Sequence, residues 1–369
     1  MKTKLRILPL LVALPLLVAC AKIVSTDGWV SPRIVDDTVY MSLNDGEMSA
    51  LAAESLDELW TFPADDKARC PGRDEKLDLK GIYGAPSIGG EAVYLGAYDG
   101  YVYALSREDG ACIWSFKTGD PVIAGPVLDG DRLYAPSTDG YLYVLDPETG
   151  EKVDRIETGG SGASPLLTED GSLYVATEDG RLWKWKFTTD TLEPVWDAPF
   201  EVDTGLLTPP VLARGDTVMV GGLGATLYGI DSTTGAERWS LDARNWFWGE
   251  PVVYGEPGSE IVIATNLDGQ VYAVDPGTGE EVWPPIDALA PIRGGAAVSE
   301  AGTIVVVNNN GLVLLIAAAT GETLEEVDLK EGVFASPIVR GGQAIVLSRS
   351  HDIFLVDLET GRVEEVSKP

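Results

Sequence analysis

GPVLDGDRLYAPSTDGYLYVLDPETGEKVDRI, running from Gly125 to Ile156, holds the reading on which the fold turns. A short apolar strand follows Gly125-Pro126, then come Arg132 to Ala135, Tyr141 to Asp146 and Lys152 to Ile156, separated by Asp139-Gly140 and Thr149-Gly150. Apolar runs of period two cut by Asp-Gly and Thr-Gly turns predict antiparallel strands joined by tight hairpins. One such unit cannot bury both of its faces, so it needs neighbours.

The sequence supplies them. Taking Pro126 as the ruler, equivalents stand at Pro32, Pro86, Pro165, Pro210, Pro251 and Pro337, with Ala297 in the same place in the one unit without Pro. Further along each unit comes a hairpin turn: Asp45-Gly46, Asp99-Gly100, Asp179-Gly180, Asp268-Gly269 and Asn310-Gly311, with Leu223-Gly224 and Ser350-His351 filling the slot in the fifth and eighth units. The Thr-Gly turn recurs at Thr234-Gly235, Thr278-Gly279, Thr320-Gly321 and Thr360-Gly361, with Asp109-Gly110 standing for it in the second unit. Eight units of about 40 residues, each with four short strands, predict an all-β, eight-bladed β-propeller of four-stranded antiparallel blades.

Trp60, Trp114, Trp196, Trp239 and Trp283 fall on the last strand of five units, while the third, seventh and eighth carry Asp154, Glu325 and Glu365 there. A large ring recurring at one place in a repeat is read as glue between blades. The run Ala273 to Trp283, with Gly229 to Trp239, resembles the tryptophan-docking motif of the PQQ-type eight-bladed propellers, and the resemblance covers the chain from Trp29 to its C-terminus. It implies the fold far more sharply than a function, because quinoprotein dehydrogenases and non-enzymatic lipoproteins share it. The quinoprotein branch is longer, and its methanol-dehydrogenase-like members carry a vicinal disulfide; no Cys-Cys pair exists here. His351, the only histidine, is read as a turn residue in a left-handed backbone position. The chain is more similar to the outer-membrane assembly lipoproteins of the BamB family. That resemblance implies a non-catalytic scaffold for protein partners, among them a barrel-assembly complex. A PQQ-dependent oxidoreductase and a ligand-sensing lipoprotein stay open as alternatives.

The N-terminus speaks to location. Lys2, Lys4 and Arg6 precede an apolar run too short to span a bilayer, the order of a signal peptide over 1–19. Leu17-Val18-Ala19-Cys20 resembles a lipobox, which implies lipidation of Cys20, a tether over 20–28 and a propeller over 29–369. Ala21 rather than Asp follows the cysteine, which by resemblance to a two-membrane sorting rule implies the periplasmic face of the outer membrane; in a one-membrane host the anchor is the outer face of the cell membrane. Eight residues between Cys20 and Trp29 reach at most ~26 Å, so the body sits close to the lipid.

With 58 acidic against 27 basic residues, the net charge of −31 repels phosphate backbones and excludes a nucleic-acid partner. Unbroken repetition favours one monomeric ring over two domains. Cys70 and Cys112 remain once Cys20 is set aside; an oxidising compartment permits a disulfide between them, two unpaired thiols being the other reading. Asp-rich turns such as Leu128 to Asp131 are too short to offer Ca²⁺ its six to eight oxygens, so neither metal nor cofactor is assigned. A partner surface is expected on irregular loops, where Arg244, Trp246 and Phe247 form the candidate, inward folding of the two aromatics into the channel mouth being the other reading. Trp246 and Phe247 fit no repeat position by sequence, whereas Trp248, Trp183 and Trp185 do and are read as packing.

Overall fold

Left-handed glycines cut the repeat into strands. In the opening stretch Gly130, Gly140 and Gly150 take φ of +51°, +94° and +72°, a backbone only glycine adopts without a Cβ clash. Between these turns lie strands Val127–Asp129, Arg132–Pro136, Tyr141–Leu145 and Lys152–Glu157, each antiparallel to the next. A computed structural model of the chain describes residues 30–366 apart from 45, 66–67, 74–75, 161 and 189–190. Within it the four-stranded meander occurs eight times, making an eight-bladed β-propeller. Blades 1 to 8 span 33–62, 87–117, 127–157, 166–201, 211–242, 252–287, 297–328 and 338–366, and blade 4 adds a short strand, Phe200–Glu201.

First strands of neighbouring blades approach one another, most closely between blades 2 and 3, 3 and 4, 5 and 6, 6 and 7, and 7 and 8, and the fourth strand of each blade lies at the far edge of its sheet. In six blades the third strand is bulged where the fourth pairs with it, as between Ala104 and Leu105 or Gly229 and Ile230. A bulge adds local twist, and in blades 1, 2, 5 and 6 the residue paired beside it on the outer strand is a tryptophan: Trp60, Trp114, Trp239 or Trp283. Small inner residues let the blades converge: a Cβ on Gly84 would fall 1.9 Å from the Gly125 nitrogen.

The core sits between blades. Among the described residues there are eight apolar clusters, one per seam, each built from two adjacent blades. The cluster of Val39, Met41, Leu51, Leu56, Ile345, Leu347 and Ile353 joins blade 1 to blade 8 and closes the ring. Blade 8 supplies its own outer strand, Val363–Val366, so the join is side-chain packing. The signal segment, Cys20, the tether and Trp29 lie outside the described residues.

Candidate functional site

At five seams an outer-strand tryptophan reaches across to the next blade's last turn. Its indole N–H donates to a turn carbonyl: Trp60 to Arg107 at 2.9 Å, Trp114 to Pro147 at 3.0 Å, Trp196 to Ser232 at 3.2 Å, Trp239 to Pro276 at 2.9 Å and Trp283 to Ala318 at 3.1 Å. Each ring covers the glycine three residues after that carbonyl, so that a Cβ on Gly110, Gly150, Gly235, Gly279 or Gly321 would come within 2.9 Å of the indole. These tryptophans are therefore committed to packing.

The repeat position three residues before the ruler proline gathers at the ring axis. Tyr83, Ile123, Leu207, Trp248 and Phe334 line an axial cavity of about 150 Å³. Trp248, expected simply to pack, is half-buried in this wall. Charge is uneven around the mouth: the Arg293 and Arg349 guanidinium carbons lie 4.4 and 4.5 Å from the Phe334 ring centre. Burial, with the nearby Arg349 charge, lowers the pKa of Arg293. Arg33 and Glu250 approach to 3.8 Å, both about half exposed, a pair of little energetic weight.

The candidate partner surface needs one correction. Phe247 is buried, 1% exposed, with its ring centre 5.7 Å from that of Tyr272. It forms a backbone bridge to Asn266 equivalent to Leu206 with Gly222 and Val333 with Ser348. The residue four before the ruler proline is thus a seam plug here, and Phe247 fills the place that Leu206 and Val333 take in their blades; Gly221 opposite leaves room, since a Cβ there would lie 2.7 Å from that of Phe247. Trp246 also follows the repeat in its backbone: its carbonyl accepts from Leu267 N–H as Gly81, Pro121, Gly160, Gly205, Pro291 and Gly332 accept from their own hairpins. Six glycines or prolines and one tryptophan occupy that place. Its side chain is half-buried, and Arg244 beside it is exposed. Trp185 is core, and Trp183 stacks on it at 5.0 Å.

The long connection after blade 1 folds onto the rim of blade 2. Cys70 and Cys112 are disulfide-bonded, and the Pro71 carbonyl accepts from the Ser115 backbone N–H at 2.8 Å, covering that edge. Arg73, from the same connection, pairs with Asp99 under the surface, the two side chains being 5% and 3% exposed, and Tyr103 donates to Asp99 at 2.7 Å. Burial raises the Asp99 pKa against the lowering by Tyr103 and Arg73. His351 takes φ +63° in its turn.

Eight blades, with indoles over turn glycines at five of their seams, find their match among known families. A family model described as outer membrane protein assembly factor BamB matches residues 98–201, 188–258 and 267–364. This chain belongs to the BamB family of PQQ-like propellers. BamB of Legionella pneumophila (strain Paris) is 36% identical over 84 residues, 23% of this chain and 21% of that protein. The quinohemoprotein alcohol dehydrogenase ADH IIB of Pseudomonas putida is 31% identical over 91 residues, 25% of this chain and 13% of its own length. These matches span about a fifth or less of the relatives' lengths. The crystal structure of BamB from Moraxella catarrhalis superposes with a TM-score of 0.68 at 18% identity, covering 88% of this chain and 93% of that one, a likeness of fold.

In this BamB-family chain the repeated side chains hold blades together, and the chemistry left over lies on the axial mouth and the rim loops. Arginine beside aromatic rings suits contact with anionic or aromatic groups. Among the described residues no group of three or more His, Cys, Asp or Glu is placed to hold a metal ion.

Proposed function

We propose that this chain is a non-catalytic, lipid-anchored scaffold that binds protein partners at the periplasmic face of the outer membrane and takes part in outer-membrane β-barrel assembly. The observation that carries this reading is the family match, which runs from the second blade into the outer strand of the eighth. In the proposal, residues 1–19 are removed on export, Cys20 carries lipid, 20–28 form the tether, and the ring from residue 29 onward is presented as a monomer. Trp246 and Arg244 anchor the partner, since a large aromatic at a place otherwise held by glycine or proline adds nothing to the repeat's backbone bonding.

The match to a quinohemoprotein dehydrogenase raises an enzyme reading. Trp248 offers a flat face, and Arg33 and Arg293 offer cations for carboxylates. The axial cavity of about 150 Å³ is smaller than the ~300 Å³ at which small-molecule pockets begin, which favours the scaffold over the enzyme.

The test is a photoreactive residue at Trp246 of the lipidated protein in its own envelope. The expected result is an adduct with a barrel-assembly protein, lost when the probe is moved to the buried Phe247. Recovery of no barrel-assembly protein, with unchanged outer-membrane protein levels after deletion of the gene, overturns the proposal. Changing Cys20 to Ser should release the protein from the membrane.

A further inference from the structure

Three seams lack a docked tryptophan, and they differ in what replaces it. Between blades 8 and 1, Leu56 holds the turn-glycine place at φ +59° and fills the gap itself, 4% exposed. Between blades 3 and 4 the Arg132 guanidinium lies 3.8 Å from the Phe187 ring centre, and Leu192 is buried beside it. Between blades 7 and 8 the receiving side is intact. Gly361 keeps the left-handed turn at φ +65°, its N–H donates to the Asp357 carbonyl as the other turn glycines do to theirs, and the Leu358 carbonyl occupies the place that accepts an indole N–H elsewhere. Among the described residues no donor reaches that carbonyl. Glu325, exposed, stands where the tryptophan stands in other blades, and a Cβ on Gly361 would lie 3.1 Å from the Val327 methyl and 3.3 Å from the Glu325 stem, with no ring over the turn.

A groove of about 890 Å³ opens at this seam, walled by Val298 and Leu324 of blade 7 and by Val339, Gly342 and Leu358 of blade 8. Its rim carries Glu300, Glu325, Asp357 and Glu359. The volume lies within the ~300–1,000 Å³ of small-molecule pockets and exceeds what one side chain needs.

We propose that this groove is a docking site for a short basic peptide segment that presents a tryptophan. The occupant's chemistry follows from the molecule itself. Five copies of the same turn each take an indole over the glycine and an N–H on the carbonyl three residues earlier. The acidic rim selects lysine or arginine on either side of the ring. The incoming indole displaces the flexible Glu325 stem and turns aside the Val327 methyl, and the freed carboxylate pairs with the flanking cation. This site lies on the outer rim, apart from Trp246 and the axial mouth, and does not depend on the assembly role.

The test titrates the full-length protein into a fluorescein-labelled Lys-Ala-Trp-Ala-Lys peptide and reads anisotropy. Saturable binding is expected, weakened at least tenfold when the peptide's tryptophan is replaced by alanine and abolished in Glu325→Trp, whose own indole fills the socket. Because that variant could perturb folding, the exposed double change Glu300→Lys and Glu359→Lys gives an independent reading and should also weaken binding at least tenfold. Absence of saturable binding, or equal binding by Glu325→Trp, overturns the proposal. So does sedimentation showing that the native protein self-associates through this groove and that Glu325→Trp does not, because the occupant is then a second copy.

Discussion

The seam between blades 5 and 6 and the seam between blades 7 and 8 share a turn and differ in one plug. At the first, Trp239 covers Gly279, donates to the Pro276 carbonyl and rests on Gly229, whose missing Cβ would lie 2.1 Å from the ring. At the second, Glu325 faces solvent and Leu315 replaces the small residue beneath. The buried aliphatic layer of Val305, Leu315, Val346 and Phe354 still joins blades 7 and 8. Ring closure therefore depends on the inner apolar layer at every seam, and the outer indole is an added lock whose place, between blades 7 and 8, is only partly taken by Val327 and the Glu325 stem.

The largest expected effect breaks the comparison directly. Trp239→Ala should destabilise the fold by about 3–5 kcal/mol, the usual cost of emptying a buried aromatic site, whereas Glu325→Ala should stay within ~0.5 kcal/mol; denaturant midpoints of the two variants decide, and equal losses would show that the indoles are not locks. The seam between blades 1 and 2 has both Trp60 and the strap closed by Cys70 and Cys112, 42 residues apart. Replacing both cysteines with serine should cost about 2–4 kcal/mol in thermal or denaturant unfolding, with the loss disappearing when native protein is measured reduced.

A smaller difference sharpens the socket. Alanine at Gly279 and at Gly361 meets similar left-handed backbone strain, but its Cβ lies 2.5 Å from the Trp239 ring in one case and no nearer than 3.1 Å to Val327 or Glu325 in the other. Gly279→Ala should thus cost about 1–3 kcal/mol more than Gly361→Ala, and identical melting shifts would contradict the close approach. Arg132→Ala, which removes the cation over Phe187 at the seam between blades 3 and 4, should cost about 0.5–2 kcal/mol.

Acid should act on docked and undocked blades alike. Hydrogen bonds from the Thr149 backbone hold Asp146 below its ordinary pKa of 3.8, side-chain bonds from Arg238 and Thr360 do the same for Asp231 and Asp357, and Thr168 lowers Asp170 to about 2. A carboxylate depressed on folding contributes stability above its unfolded pKa and loses it as pH falls through the folded one. Stability should therefore decline from about pH 4 toward pH 2, and Trp239→Ala should lower the whole curve without changing that limb, as unfolding midpoints against pH would show.

Much of this was legible from spacing. The ruler prolines, the Asp-Gly and Thr-Gly turns and the five tryptophans gave the blade number and the docking positions, because turn chemistry and seam packing recur once per unit. The 244–248 segment misled for the opposite reason. Trp246 and Phe247 keep the backbone pattern while departing from its residue types, so identity alone hid that Phe247 plugs a seam. Leu56 hid its role likewise, being a leucine in a glycine's place.

By itself the sequence determined the strand meander, its eightfold repetition and the side of each blade that must be buried, since these depend on local alternation and on turns that only certain residues allow. Which seams are sealed was decided by the tertiary structure alone. Whether a missing indole leaves a filled gap or an open groove depends on atoms from two blades, about 40 residues apart along the chain, meeting within a few ångströms, and Gly361 reads the same in one dimension whether or not anything covers it.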